Sequence, residues 1–177
     1  MNKVTIRDKT FEIALPSVEI QKRISELAAQ ISLELSGKRP LFICILNGSF
    51  IFASDLFKRI KIEAEITFMK VSSYSGTQST GVIKNVFGIN ESLSGRTIVI
   101  LEDIVDTGDT AVHLLEEIKK QGPEKVYFAS LLLKPDALRH DIKVDYVGFE
   151  VPNDFLVGYG LDYDGLGRNL EDIYKLI

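Results

Sequence analysis

Three carboxylates lie close together where a strongly apolar segment gives way to a polar turn. Glu102 and Asp103 follow the mainly apolar segment 97–101, and Asp106 comes three residues later. The turn 107–110 then leads into a segment whose apolar spacing predicts a helix. The unpaired backbone N–H groups of a helix start, with the helix dipole behind them, favour an anion. We therefore expect this turn to bind a phosphate group.

The acids beside the turn restrict the ligand further. Carboxylates repel a phosphate unless they bind hydroxyl groups or a divalent cation, and Mg²⁺ prefers carboxylate and phosphate oxygens. The pattern therefore predicts a sugar phosphate, with its phosphate on the turn and its ribose on the acids. The simpler alternative is a helix start at which the acids are stabilised by the helix dipole. That alternative accounts for Asp109 and Asp106, but it explains Glu102 and Asp103 poorly.

The elements that position these residues alternate between strands and helices. Short, predominantly apolar segments predict strands buried on both faces, at 41–46, 97–101 and 126–133. Further strands are predicted at 63–71, 82–87 and 146–149. Helical spacing covers 17–35, 50–60 and 110–121, with Ser17 as the expected cap of the first helix. This alternation predicts an α/β fold with a mostly parallel central sheet flanked by helices. Ligands bind beyond the carboxyl ends of such strands.

The terminal segments are expected to form a small hood over that edge of the sheet. No Pro/Gly/Ser-rich linker divides the chain, so residues 1–177 are interpreted as a single domain.

Composition excludes several classes of function. The net charge of −4 gives no global positive field for a nucleic acid, so we expect no such partner. The single cysteine, Cys44, excludes an internal disulfide and is expected to be buried. No apolar segment is long enough to span a bilayer and the first residues do not resemble a signal peptide, so we expect no membrane partner and a cytoplasmic location. His113 and His140 are expected at the surface rather than as metal ligands.

The acid-rich stretch resembles the phosphoribosyl pyrophosphate signature of type I phosphoribosyltransferases, a strand with two acids followed by D-T-G-x-T. The resemblance extends from about Leu41 to Ile173 and is nearest to the hypoxanthine-guanine branch. Four further segments carry it: Leu46–Ser49 resembles the diphosphate loop, 73–81 the mobile lid, Leu131–Pro135 the purine-binding lysine segment, and Val147–Tyr163 with Arg168 the C-terminal purine pocket.

The resemblance implies a role for each matching residue. Glu102 and Asp103 would bind the ribose hydroxyls, and Asp106 would act as general acid/base near purine N7. The 5′-phosphate would be held by the backbone of the turn, that is by Asp106, Thr107, Gly108, Asp109 and Thr110. The Asp109 side chain must then point away from the phosphate. Diphosphate would contact Leu46, Asn47, Gly48 and Arg168.

The remaining roles concern the base, the metal and the lid. Lys134 would hydrogen-bond the 6-oxo group, Phe155 would stack on the purine, and Leu156 would contact its edge through the backbone. Asp162 belongs to the purine pocket and would also bind Mg²⁺, with Glu102 and Asp103 as the other metal-binding acids. Ser73 and Tyr74 would close over the reacting centre.

The resemblance implies purine salvage, the transfer of a 5-phosphoribosyl group from phosphoribosyl pyrophosphate to hypoxanthine or guanine with Mg²⁺. It also implies a homo-oligomer, a dimer or a tetramer. Two alternatives stay open: a regulator that senses phosphoribosyl pyrophosphate and binds nucleic acid, and a transferase specific for adenine or orotate. The sequence also leaves open the preferred purine and whether the Leu46–Asn47 peptide bond is cis.

Overall fold

The computed structural model describes residues 3–72, 84–87, 89 and 91–177. Six strands form the central sheet, in the order β5-β4-β3-β6-β7-β8. All neighbours in it pair in parallel except β4 and β5, which are antiparallel. The strands are β3 (Leu41–Leu46), β4 (Glu65–Ser72), β5 (Lys84–Phe87), β6 (Thr97–Val105), β7 (Lys125–Leu133) and β8 (Tyr146–Glu150). The expected mostly parallel sheet is confirmed.

Helices cover both faces of this sheet. They are α1 (Ser17–Glu34), α2 (Phe50–Phe57) and α3 (Asp109–Lys119), and a short 3-10 turn covers Pro135–Ala137. Alternate residues of β3 belong to opposite core clusters: Phe42 packs with α1 and α2, whereas Ile43 packs with α3. This burial on both faces explains why β3 is apolar throughout.

A second, antiparallel sheet forms the hood predicted from the two ends of the chain. Its strands run in the order β1-β2-β10-β9. Their bounds are β1 Lys3–Ile6, β2 Lys9–Leu15, β9 Leu156–Val157 and β10 Ile173–Leu176. β9 follows the central strand β8 by only a few residues, so the segment between them joins the two sheets.

Several boundaries differ from those predicted. Ser17 does not cap α1: Pro16 occupies the N-cap position, and the Ser17 N–H donates to Asp172 Oδ1 at 2.7 Å. Helix α2 ends at Phe57 rather than at residue 60. Strand β6 continues to Val105, four residues beyond the predicted end, because β7 remains paired with it as far as Leu133.

Cys44 is fully buried, as expected, and its thiol lies 3.0 Å from Ser49 Oγ. None of the helices in the described ranges is long and apolar enough to cross a membrane.

Candidate active site

The two adjacent acids lie within β6 rather than after it. They occupy the part of the strand that extends past β3, which pairs with β6 only from Ile98 to Leu101. Burial, reinforced by the charge of Asp103, raises the pKa of Glu102 well above its ordinary value. Its Oε2 atom is buried and receives no hydrogen bond from any residue that the structure describes. A buried acceptor of this kind calls for a donor or a cation.

Asp103 shares this environment. Its Oδ1 atom accepts a hydrogen bond from the Ile104 N–H at 2.8 Å. Burial raises its pKa to about 6, an effect that the Ile104 N–H and the Arg168 charge oppose. Both acids are therefore poorly solvated and would gain from hydroxyl donors or from a cation.

The turn after β6 forms a cavity at the start of α3. Gly108 has φ of +86°, a conformation that favours glycine, and it immediately precedes α3. The cavity measures about 250 Å³, and its lining includes Asp106, Thr107, Gly108 and Thr110. Asp109 is absent from the lining. Its carboxylate instead accepts hydrogen bonds from Thr107 Oγ1 at 2.8 Å and from His140 Nε2 at 2.6 Å.

A second cavity, of about 220 Å³, lies between β3, β6 and the loop 158–172 that joins β9 to β10, which we call the C-terminal loop. Its lining includes Asn47, Gly48, Asp103, Asp162 and Arg168. Glu102, Asp103 and Thr110 line both cavities, so the two are adjacent. The Leu46–Asn47 peptide bond, which the sequence left open, is cis.

Glycines allow three segments to meet beside this second cavity. A Cβ atom on Gly48 would lie 1.5 Å from Asp103 Oδ2. A Cβ atom on Gly160 would lie 2.0 Å from the Gly48 carbonyl oxygen. The C-terminal loop therefore lies directly against the loop after β3, which in turn lies against the acid pair. We call these contacts the glycine stack, formed by Gly160, Gly48 and Asp103.

Asp162 and Arg168 form an ion pair in the same loop. Arg168 Nη2 lies 2.6 Å from Asp162 Oδ1, and its Nη1 donates to the Gly160 carbonyl oxygen at 2.6 Å. Asp162 Oδ2 accepts from the Gly165 N–H at 2.7 Å. Arg168 is thereby fixed at the edge of the cavity, where a guanidinium suits phosphate oxygens.

The acids fit a Mg²⁺ ion only with help from a ligand. Glu102, Asp103 and Asp162 line one cavity, and the unpartnered Glu102 oxygen is a suitable hard donor. Within the described part of the chain, however, no three His, Cys, Asp or Glu side chains form a cluster that could hold a metal. Mg²⁺ commonly binds through one or two carboxylates together with phosphate oxygens. The donor set fits that mode rather than an all-protein site.

Lys134 and Asp106 are brought together at the ends of β7 and β6. Lys134 is only 7% exposed, and its Nζ donates to Asp106 Oδ2 at 2.9 Å and to Asn153 Oδ1 at 3.5 Å. The Lys134 N–H also bonds to the Val105 carbonyl oxygen, which fixes the start of the side chain. The sequence interpretation placed both Lys134 and Asp106 in the site but missed Asn153. Its position between Pro152 and Phe155, in the segment already assigned to the pocket, was the available signal.

Phe155 projects from the segment between the two sheets. Its ring is 45% exposed and forms an edge contact with Tyr163, with centroids 5.9 Å apart. Lys9 Nζ lies 5.5 Å from the Phe155 centroid and 4.6 Å from that of Tyr163. Leu156 is nearly buried in β9, opposite Lys175. The contact of Lys9 with these two rings was missed, because a lysine in a strand gives no signal of its own.

Ser73 and Tyr74, with the whole predicted lid 73–81, lie outside the described residues.

Comparison with known proteins identifies the family of this chain. The model of the phosphoribosyl transferase domain matches residues 16–164. The chain therefore belongs to the phosphoribosyltransferase family.

The relatives include the hypoxanthine-guanine phosphoribosyltransferase of Bacillus subtilis (strain 168), 42% identical over 90% of this chain and 89% of the relative. The enzyme of the same name from Streptococcus thermophilus (strain CNRZ 1066) is 39% identical over 93% and 96%. A crystal structure of a hypoxanthine phosphoribosyltransferase from Staphylococcus aureus superposes with a TM-score of 0.89 and 40% identity, covering 94% of this chain and 91% of the other. The chain spans only about a quarter of the bifunctional protein TilS/HprT of Listeria monocytogenes serotype 4b (strain F2365), which is 41% identical over 160 residues and matched over 25% of its length.

Proposed function

We propose that this protein transfers the 5-phosphoribosyl group from phosphoribosyl pyrophosphate to a 6-oxopurine, hypoxanthine or guanine, and releases diphosphate. The observation that carries the proposal is the buried Lys134 ammonium, held 2.9 Å from Asp106 beside the phosphate turn. The Lys134 ammonium can donate to the 6-oxo oxygen of the base, while the neighbouring Asp106 carboxylate exchanges a proton with N7. The names of the relatives support the same reaction.

In this proposal the turn and the acids bind the sugar phosphate. Backbone N–H groups from Asp106 to Thr110 hold the 5′-phosphate at the start of α3. Glu102 and Asp103 accept hydrogen bonds from the ribose hydroxyls, which relieves the carboxylates of their poor solvation. The anomeric carbon is thereby directed towards the second cavity.

The second cavity is proposed to hold the leaving diphosphate. The backbone of Leu46, Asn47 and Gly48 and the guanidinium of Arg168 contact it, and all four line that cavity. Glu102, Asp103 and Asp162 would hold Mg²⁺ together with oxygens of the substrate. When bound, this ion would neutralise charge that builds up on the diphosphate as it leaves.

The base is proposed to bind on the side of the ribose opposite the leaving diphosphate. Phe155 stacks on the purine, Leu156 contacts its edge through the backbone, and Lys134 donates to the 6-oxo oxygen. As the C–O bond to diphosphate breaks, N9 of the purine attacks the anomeric carbon, and Asp106 accepts the proton from N7. Ser73 and Tyr74 are proposed to close over the reacting centre and to exclude water, which would otherwise hydrolyse the activated sugar.

Lys134 also favours one class of base. An ammonium donates hydrogen bonds and accepts none, so it suits a 6-oxo group and cannot accept from a 6-amino group. Adenine would leave the buried ammonium without that partner, and such losses discriminate strongly. We therefore propose that adenine is rejected.

A regulator that binds nucleic acid is the candidate of a different class. The net charge of −4 gives no global positive field for a nucleic acid, and Lys134 and Arg168 are each paired with an acid. We further propose a cytoplasmic homo-oligomer, to be tested by sedimentation and by cell fractionation.

The decisive experiment is an ultraviolet assay of the purified protein with Mg²⁺ and phosphoribosyl pyrophosphate, offering hypoxanthine, guanine, xanthine and adenine separately. Turnover of hypoxanthine or guanine without turnover of adenine is expected. Turnover of adenine alone would contradict the role given to Lys134 while keeping the mechanism. Binding of phosphoribosyl pyrophosphate without turnover of any base would favour the regulator, which a gel-shift assay with RNA and DNA would then examine.

A further inference from the structure

We propose that His140 is a positioning residue that holds the Asp109 carboxylate outside the 5′-phosphate site. This inference rests on the proposed function and adds a residue to it. Asp109 is the first residue of α3, so its side chain starts beside the N–H groups that would bind the phosphate.

An acid at this position is a built-in competitor for the site. Carboxylates near a helix N-terminus are attracted by the same N–H groups and dipole that attract a phosphate. The Asp109 side chain, if it turned inwards, would both occupy those groups and repel the dianionic ligand. The chain therefore needs a device that keeps it turned away.

The segment after the 3-10 turn provides that device. His140 Nε2 lies 2.6 Å from Asp109 Oδ1, and Arg139 Nη1 lies 3.8 Å from Asp109 Oδ2. Thr107 Oγ1 donates to Asp109 Oδ2 at 2.8 Å. We call this group, formed by Asp109, His140, Arg139 and Thr107, the carboxylate clasp. The hydrogen bond from His140 and, to a lesser extent, the one from Thr107 lower the pKa of Asp109, so the carboxylate stays charged.

The clasp is anchored to the backbone of the turn itself. The Arg139 N–H donates to the Thr107 carbonyl oxygen at 2.9 Å. Behind Gly108, a Cβ atom would contact Ile142, Leu138 and His140 at 3.1, 3.4 and 3.7 Å. The segment 138–142 therefore covers the outer side of the turn. His140 holds the Asp109 carboxylate on this outer side. Asp109 accordingly does not line the phosphate cavity.

Four variants test the proposal: H140A, H140Q, D109A and H140A/D109A. The control is H113A, which removes the chain's other histidine; His113 lies in α3, the helix that begins at Asp109. Calorimetry gives the Kd for ribose 5-phosphate, and steady-state kinetics give KM for phosphoribosyl pyrophosphate and kcat. For H140A we expect Kd and KM to rise about three- to fivefold, which corresponds to the usual free-energy effect of one charge near a helix terminus. The value of kcat should stay unchanged. H140Q should restore binding, because its amide can donate where Nε2 does, and H113A should bind as the wild type does.

The double variant separates positioning from a structural role. Without Asp109 there is no carboxylate to hold, so H140A/D109A should bind ribose 5-phosphate as tightly as D109A. Equal weakening by H140A in both backgrounds, or wild-type binding by H140A, would overturn the proposal. A wild-type protein that turns over no base would instead refute the proposed function, and the Kd values would still decide the role of His140.

Discussion

The Lys134–Asp106 pair combines burial with direct access to the base site. Lys134 is nearly buried, whereas 47% of the Asp106 side chain is exposed. A buried ammonium is costly unless it is paired, and Asp106 and Asn153 supply that pairing. Of the two side chains, Asp106 is therefore the one that a bound ligand can reach, as the proposed function requires.

Replacing Asp106 by Asn should lower kcat by about 10²–10⁴-fold, the usual contribution of a general acid/base. The amide keeps the shape and still accepts from Lys134, so the Kd for phosphoribosyl pyrophosphate should stay near the wild-type value. Steady-state kinetics and calorimetry measure the two quantities. D136N is the matched control, because Asp136 is an exposed acid two residues after Lys134. Turnover of D106N equal to that of D136N would remove Asp106 from the mechanism.

Cys44 should be inert to alkylation in the native protein. Burial raises the pKa of its thiol from 9.0 to about 11. Because the native pKa lies above the ordinary one, the stabilising contribution of the protonated thiol is present below pH 9 and is lost as the pH rises through 11. Mass spectrometry after iodoacetamide treatment at pH 8 should show labelling in urea but almost none in buffer. Equal labelling rates in the two conditions would contradict the burial of Cys44.

At the scale of elements, the site depends on places where loops approach one another so closely that a glycine is required. In the glycine stack the loop after β3 is fixed between β6 and the C-terminal loop. Gly160 has φ of +103°, and its neighbour Tyr159 is also in a left-handed conformation, with φ of +50°. Tyr159 is buried, and its hydroxyl bonds to Asp55 in α2. The C-terminal loop is therefore fixed on the core through Tyr159 as well.

Replacing Gly160 by Ala should displace the loop after β3. The new methyl group would collide with the Gly48 carbonyl oxygen, so we expect a loss of about 3 kcal/mol in the free energy of unfolding and a raised KM for phosphoribosyl pyrophosphate. G165A is the matched control: Gly165 has φ of +82° but nothing within 4 Å of its Cβ position. That variant should lose only about 1 kcal/mol and keep its KM. Denaturant unfolding and kinetics that fail to separate the two variants would contradict the glycine stack.

Sequence patterns predicted the central strands and helices well, and their ends less well. Apolar segments identify β3 and β6 because burial on both faces removes polar residues. Strand β6 extends past its apolar part, since pairing with β7 continues through Glu102 and Asp103, and composition does not encode such pairing. Ser17 was assigned as a cap on local pattern, whereas the partner of its N–H is Asp172, 155 residues away.

At the scale of the whole molecule, the hood is joined to the core through Asp172. This residue immediately precedes β10, and its carboxylate accepts from the N–H of the first residue of α1. It thus serves as a cap for α1 supplied from the other end of the chain. Its backbone also lies against Gly158, where a Cβ atom would be 2.1 Å from the Asp172 carbonyl oxygen.

Removing this cap should weaken the whole fold rather than one sheet. D172A should lower the free energy of unfolding by about 1 kcal/mol, the usual value of a helix cap. D172N keeps a carbonyl oxygen at the same place and should recover most of the loss. Urea denaturation followed by far-ultraviolet circular dichroism and by tyrosine fluorescence provides the measurement. If D172A and D172N are equally unstable, the contact with Ser17 is not the cause.

The structure brings together residues that the sequence predicts for the candidate site, but the contacts between them could not be predicted. Lys134 and Asp106 were assigned separate roles, and their ion pair emerges only when the ends of β6 and β7 are side by side. Asp162 and Arg168 were likewise assigned to metal and diphosphate, whereas in the structure they also neutralise each other. Contacts between residues distant in the chain depend on register and loop approach, which local patterns do not contain.

The glycine stack also limits how the chain can be varied. A side chain at position 48 fits only if the Asp103 carboxylate is displaced or removed, and either change would alter the acid pair. A side chain at position 160 displaces position 48 in the same way. A combinatorial library aimed at new base or sugar specificity should therefore keep Gly48, Asp103 and Gly160 fixed as one unit. Diversity is better placed at Gly37, Gly95 and Gly165, where the space around the Cβ position is open and only residues that tolerate a positive φ are needed.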